Sequence, residues 1–336
     1  MRRFFYLPSY SNSSTNASTS HLQHAFNNDA LITLTEDIFH HWCRVLRAKE
    51  GDKAIFFDGH GGEYTVQLQQ IEKKSATAKI IDCKHIDHTN PYYTHIALVM
   101  SRGDRMDYAL QKATEMGVSS IQLLTSQHGE VFLKPNQVDK KMAHWQQVML
   151  SACEQCGLNR PPLLLKPVAL NDWLAGEVGE ISDTLLPLAN IDYYQKLQAS
   201  HKAMSLWDES HSNDIETSKP LRLVLAVPNE PTSSTTDSDA STTHANAHTK
   251  LPASQLRTTV NTTEKIKHYI QNSPNCAFFT LLIGAEGGLS DAELSQAIAK
   301  QFIPWQIGNR ILRTETAPVV ALATLQVLAS MAKTDM

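Results

Sequence analysis

Two short stretches in the last third of the chain carry residue types that can do chemistry. The first is Leu282-Ile283-Gly284-Ala285-Glu286-Gly287-Gly288-Leu289-Ser290. It follows an apolar run, Phe278 to Ile283, and leads into a helix start with Ser290 as N-cap and Glu293 three positions on. Glycines between a strand end and a helix start let a ligand approach the backbone closely, and in an open α/β sheet that edge is where ligands bind. The loop is neither the dinucleotide fingerprint nor a P-loop, which needs Gly-Lys followed by Ser or Thr. Taken alone it reads equally well as a tight connector.

The second stretch is Ile307-Gly308-Asn309-Arg310-Ile311-Leu312-Arg313-Thr314-Glu315-Thr316-Ala317-Pro318. A strand runs into Gly308, and Pro318 suits the first turn of a helix. That helix is apolar on more than one face, through Val319, Val320, Leu322, Ala323, Leu325, Val327 and Leu328, so it must be buried in the domain or against a second subunit. Two arginines and a glutamate directly before a buried helix are costly unless paired or bound to something. This favours a functional over a surface reading of those charges.

The elements that must position these loops alternate from His95 onward. Ile96 to Met100 reads as a buried strand, and Asp107 to Met116 as a helix with Leu110, Ala113 and Met116 inward, stopped by Gly117. Val118 to Thr125 is the next strand. Val138, Met142, Trp145, Met149, Ala152 and Cys156 then recur at steps of three or four, a helix closed by Gly157. Leu221 to Val227 and Ile303 to Ile307 complete the strands. The expected class is α/β with a mainly parallel sheet. Residues 1–90 read as a small β-rich domain and 91–336 as the α/β domain, with Asn90-Pro91 at the boundary. In the first, Ile38, Trp42, Val45 and Leu46 fall on one face of a short helix, and two β-prone runs flank the turn Gly59-His60-Gly61-Gly62. Residues 9–29 and 229–263, rich in Ser, Thr, Asn and Ala, are expected to be mobile insertions.

Composition excludes several classes. No apolar run reaches the roughly 20 residues that span a bilayer, and the start, Met1-Arg2-Arg3-Phe4, has no secretory pattern, so the cytoplasm is expected. A net charge of −4 argues against indiscriminate polyanion coating but not against a local basic face. Five cysteines are no disulfide scaffold, and Cys153 and Cys156, one turn apart on a helix, read as structural rather than metal-binding.

The string LLIGAEGGLSDAEL followed by IGNRILRTETA resembles the signature of the SPOUT methyltransferases, in particular the RsmE family of 16S rRNA uridine-N3 methyltransferases. Arg44-Val45-Leu46-Arg47 after His41, MSRGDRM from Met100, QKATEMG from Gln111 and ACEQCGLNR from Ala152 fit the same family in the same order. The chain departs from the family in having Ala285 where Pro is usual, and in the 229–263 insertion. The resemblance implies a C-terminal domain with a deep trefoil knot, a homodimer, and an N-terminal PUA-like β-barrel that helps hold RNA. It implies S-adenosylmethionine bent among three loops, held by Leu225, Ala226 and Pro228, by Ile283, Gly284, Glu286, Gly287 and Gly288, and by Ile307, Gly308, Ile311, Leu312 and Arg313. Ile283, Ile307 and Leu312 would flank the adenine, and no metal is implied.

Uridine N3 is protonated at neutral pH, so the reaction needs stabilisation of the charge left when that proton departs. Arg313 is the first candidate and Arg310 the second. Glu315 and Glu154 are candidate bases, each equally readable as a salt bridge orienting an arginine. Arg2, Arg3, Arg44, Arg47, Arg102, Arg105, Lys112, Asn159 and Arg160 are candidate RNA contacts, with Arg44 and Arg47 one turn apart on a helix face. The implied target is a decoding-region uridine of 16S rRNA in the small ribosomal subunit. Competing readings are a SPOUT methyltransferase acting on tRNA or a ribose 2′-hydroxyl, and an RNA-binding protein without catalysis.

Overall fold

The computed structural model describes residues 1–7, 31–205, 219–225, 262–273 and 277–334. Ala226, Pro228, the 9–29 stretch and all but the last two residues of 229–263 lie outside the described residues.

The N-terminal unit is one mixed sheet of β1 (Arg2–Phe5), β2 (Leu31–Thr33), β3 (Lys53–Phe57), β4 (Glu63–Ile71) and β5 (Ala76–Lys84), in the order β1-β3-β4-β5-β2. The expected hairpin is β3–β4, antiparallel with Lys53 opposite Gln67. The edge strands β1 and β2 are bridged where the Tyr6 hydroxyl donates to the Thr33 carbonyl at 3.1 Å. Phe4, Phe56, Val66, Leu68, Ala78 and Ile80 alternate inward to one core. A helix, α1, closes it, and here the sequence expectation needs correction. Only Glu36–Ile38 is α-helical; Phe39–Val45 is a π-helix, with Leu46 N–H donating to the His41 carbonyl five residues back. The wider turn buries Ile38, Phe39, Trp42 and Cys43 and rotates Val45 out to 57% exposure. Arg47 lies beyond the helix end at a φ of 56°, so it does not share a helix face with Arg44.

The second unit is a six-stranded, all-parallel sheet. Its strands are β6 (Tyr93–Val99), β7 (Ser120–Thr125), β8 (Leu163–Ala169), β9 (Leu221–Leu225), β10 (Phe278–Ile283) and β11 (Ile303–Trp305), ordered β11-β9-β10-β6-β7-β8. All six residues of β10 are buried, as expected for a central parallel strand covered on both faces. Leu281 and Ile283 face one layer, formed by α2 (Asp104–Glu115), α3 (Pro135–Cys156), α6 (Thr262–Gln271) and α8 (Ala317–Thr334). Leu282 faces the other, where α4 (Leu170–Ala175) and α7 (Asp291–Ala299) pack through Trp173, Leu294 and Ala297, with α5 (Asp192–Ser205) beside α4. Each buried leucine or isoleucine among these contributes about 1.5–3 kcal/mol. Helix α8 buries Ala321, Leu322, Leu325 and Leu328 but leaves Val327 and Met331 about half exposed.

The units meet at a polar joint. Asn159, fully buried, donates to the Gly62 and Ile86 carbonyls and accepts from His88 N–H at 3.2 Å. Arg160 donates to Asp87 at 2.6 Å and to the Gly59 carbonyl, and lies over the Tyr193 ring. Gly61, at a φ of 82°, holds a left-handed conformation that would strain any other residue, and a Cβ there would displace the Arg160 guanidinium, 2.6 Å away. Arg3 pairs with Glu63 and donates to the Gly157 carbonyl.

Candidate functional site

The site grows from the C-terminal edge of the parallel sheet. After β10 the chain makes a tight turn in which Gly288 N–H donates to the Ala285 carbonyl at 2.8 Å, with Gly288 at a φ of 73°. A Cβ on Gly284 would meet the Gly288 backbone carbon at 3.1 Å, so a side chain there would have to push the turn open by a few tenths of an ångström. Ser290 and Glu293 form the expected reciprocal cap on α7. Glu293 does more than cap: its carboxylate also accepts from Gln127 N–H at 2.8 Å, tying the loop after β7 to this turn.

The loop after β11 comes to the same place. The Thr314 hydroxyl, buried, donates to the Gly284 carbonyl at 3.4 Å, and the Arg313 carbonyl accepts from Thr316 and Ala317 N–H to start α8. Gly308, at a φ of 76°, has nothing among the described residues within 4 Å of where a Cβ would stand. Around it Ile311 is 53% exposed, while Ile307 and Leu312 are half-buried against the core. The Ile283 side chain is buried in that core, so at this position the backbone faces the loop. The Arg313 side chain projects outward, 73% exposed, with Glu315 3.9 Å away and only 13% exposed. Arg310 is exposed as well.

A cleft of about 330 Å³ opens beside the Gly284–Gly288 turn. Its walls are the loop after β6 (Met100, Ser101, Arg102, Arg105), His128 and Glu130 after β7, and Ala285 to Gly287. Two ion pairs cross it, Arg105 to Glu286 and Arg102 to Glu130, the latter at 3.1 Å. Neither pair, nor His128, was singled out as a unit in the sequence, because each partner lies on a different loop.

The other sequence candidates sit elsewhere. Glu154 is at the far end of α3, a helix roughly 33 Å long by rise per residue, and it accepts from Phe5 N–H at 3.1 Å in the polar joint. Burial raises its carboxyl above the ordinary value, outweighing the Phe5 amide and Arg3. Within one chain it is a structural carboxylate removed from both glycine loops. Asn159, Arg160 and Arg3 are likewise engaged in the joint; burial pushes Asp87 up, but hydrogen bonds from Arg160 and Thr89 outweigh it and hold its carboxyl below the usual range. Lys112 is half-buried and donates to Glu115 at 2.8 Å. Arg44 stacks over Phe39 and donates to the Lys73 carbonyl, with Arg2 and Arg47 exposed. Cys153 is buried and Cys156 exposed, both as free thiols.

Family models match most of the chain. The family model for the RNA methyltransferase domain covers residues 88–206 and 229–326, and that for the RNA methyltransferase PUA domain covers 34–81. The chain belongs to the RNA methyltransferase family. Among curated relatives, ribosomal RNA small subunit methyltransferase E of Buchnera aphidicola subsp. Schizaphis graminum is 25% identical over 297 residues, 88% of this chain and 90% of that one. The protein of that name in Synechocystis sp. is 25% identical over 300 residues, 89% of this chain and 74% of the relative. The fold is shared with ribosomal RNA small subunit methyltransferase E from Neisseria gonorrhoeae, solved bound to S-adenosyl methionine, at a TM-score of 0.61 and 24% identity over 98% of both chains.

Proposed function

We propose that this protein methylates N3 of a decoding-region uridine in 16S rRNA, acting on the small ribosomal subunit in the cytoplasm. The observation that carries the reading is the Thr314–Gly284 hydrogen bond, which fastens the two glycine loops together with Arg313 projecting from their junction.

The loops suit S-adenosylmethionine. Open backbone at Gly308 beside the exposed Ile311 and half-buried Ile307 and Leu312 offers amide and apolar contacts to an adenine. At the neighbouring turn Gly287 is the open position, where a Cβ would meet only the His128 side chain, at 3.4 Å. When bound, this cofactor supplies an already activated methyl group. The protein's own task is then to orient the acceptor and stabilise the charge that its N3 and flanking oxygens gain. Arg313 does this from the junction, and Glu315, 3.9 Å away and mostly buried, limits where the guanidinium swings. Arg310 extends the positive edge toward RNA. Arg2, Arg44, Arg47, Arg102 and Arg105 supply phosphate contacts. The half-exposed Val327 and Met331 on α8 support a second copy packing there, and knotting of the C-terminal segment is the topology we assign to the loops.

Small subunits from a strain lacking the modification are the substrate that tests this. With wild-type protein, the methyl group should map to uridine N3. Arg313→Ala should lose turnover by about 10²–10³-fold, the scale of a transition-state donor, while binding S-adenosylhomocysteine within about threefold. Equal losses in turnover and binding would reduce Arg313 to cofactor positioning. Methylation at a ribose hydroxyl would replace the uridine-N3 reading.

A further inference from the structure

The proton on uridine N3 needs a destination, and the geometry separates the carboxylates that compete for it. Glu154 lies in the polar joint at the far edge of the sheet. Glu315 is turned inward, 13% exposed, at the start of α8. Glu286 is different: it sits on the methyl-donor turn itself, between Ala285 and Gly287, and its side chain is 44% exposed on the 330 Å³ cleft. Enzymes that modify a base within structured RNA or DNA take it out of the stack into the active site, so a carboxylate exposed on this cleft can meet it.

Glu286 is held by Arg105, from the loop between β6 and α2. Both side chains are close to half exposed, so the pair is a weak one and its exchange for another partner is easy. A phosphate of the incoming strand is a better partner for a guanidinium than one solvated carboxylate, because it can be gripped in bidentate fashion.

We propose that Glu286 is the general base of this site and that Arg105 is a positioning residue, which holds the carboxylate until an RNA phosphate takes the guanidinium away. The assignment rests on the uridine-N3 reading. When Arg105 moves to phosphate, the freed Glu286 carboxylate takes the N3 proton. The electron pair of the broken N–H bond stays on N3 and forms the new bond to the methyl carbon, while the pair of the broken carbon–sulfur bond remains on sulfur. Arg313, at the junction of the two glycine loops, stabilises the charge on the uracil ring as the proton leaves. Base and phosphate sensor are thus one ion pair, and the base is released only when RNA is present.

The test uses single-turnover methylation of unmodified small subunits, with subunit affinity measured separately in the absence of methyl donor. Glu286→Gln should lose rate by about 100-fold or more, the scale of general base catalysis. The remaining rate should climb about tenfold per pH unit as hydroxide replaces the carboxylate, whereas a merely structural loss would leave the profile unchanged in shape. Without methyl donor the same variant should bind subunits about threefold more tightly, because Arg105 no longer has a competing carboxylate, and Arg105→Ala should bind less tightly. A Glu286→Gln rate within about threefold of wild type, or tighter binding by neither or both variants, overturns the assignment alone. Failure of the wild type to methylate any uridine N3 overturns the functional reading and the assignment with it.

Discussion

The two edges of the parallel sheet hold the same residue types and use them in opposite ways. At the N-terminal edge, where the sheet meets the β-rich unit, Arg3, Glu154, Asn159 and Arg160 are largely or wholly buried and joined to backbone carbonyls and amides of the other unit. At the C-terminal edge, Arg105, Glu286, Arg310 and Arg313 are left open to solvent, in half-exposed pairs or in none that closes around them. A buried, satisfied polar group holds structure together, because undoing it strands its partners without water. An exposed one costs little to keep and is free to meet a ligand. Residue type does not tell the two apart; the end of the strand does.

The comparison predicts that substitutions at the joint act on stability and those at the open edge act on activity. The largest stability effect expected is for Asn159→Ala, which strands the Gly62 and Ile86 carbonyls and His88 N–H. It should cost about 3 kcal/mol in denaturant unfolding; a loss under about 1 kcal/mol would mean that the joint is not the polar lock described.

A comparable effect should come from pH. His95 and His201 are buried with the Ser120 hydroxyl between them, at 3.0 and 2.9 Å, and their outer ring nitrogens have no partner among the described residues. Burial pushes both imidazoles down, His201 to about 4, and His95 further through its neighbour. Above the ordinary histidine range both states are neutral and no stability is at stake. As pH falls below about 6.5, the unfolded chain takes up protons that the folded chain refuses, so stability declines until pH reaches the folded value. From His201 alone the decline should be about 3 kcal/mol between pH 6.5 and 4. Urea unfolding across that range checks it, and His201→Leu should flatten the slope.

The smallest stability effect belongs to the open edge. Arg313→Ala, expected to cripple turnover, should shift unfolding by less than about 0.5 kcal/mol, as for other exposed positions. A larger shift would blur the distinction between the edges.

Much of the sheet was legible because its signals are local. Phe278 to Ile283 is a strand with the bounds read from its apolar run, and Ser290 and Glu293 cap α7 as their spacing implied. Gly157 closes α3, but Cys156, assigned to its inner face, is exposed and Cys153 takes the buried position. Val45 was assigned inward on an α-helical period, and the π-helix turned it out. The strand read to Ile307 ends at Trp305, and the helix read from Asp107 starts at Asp104. The differences that shape the site are long-range. Arg105 and Glu286 stand 181 residues apart, and Ser120 and His201 stand 81 apart. No periodicity records such pairings, because they are made by strand order: β10 lies beside β6, so the loops leaving both reach one cleft. Arg3, Glu154, Asn159 and Arg160 were read as catalytic or RNA-binding for the same reason, since nothing local announces that a second unit will cover them.

The central claim is that the two glycine turns form one pocket. It is tested most directly by a crystal structure of the protein grown with S-adenosylmethionine. Density for the adenine against Gly308 and Leu312, with the methyl group facing the cleft of Glu286 and the guanidinium of Arg313, is the predicted result. Cofactor bound at another edge of the sheet, or turns separated with the Thr314–Gly284 hydrogen bond broken and solvent between them, would contradict it.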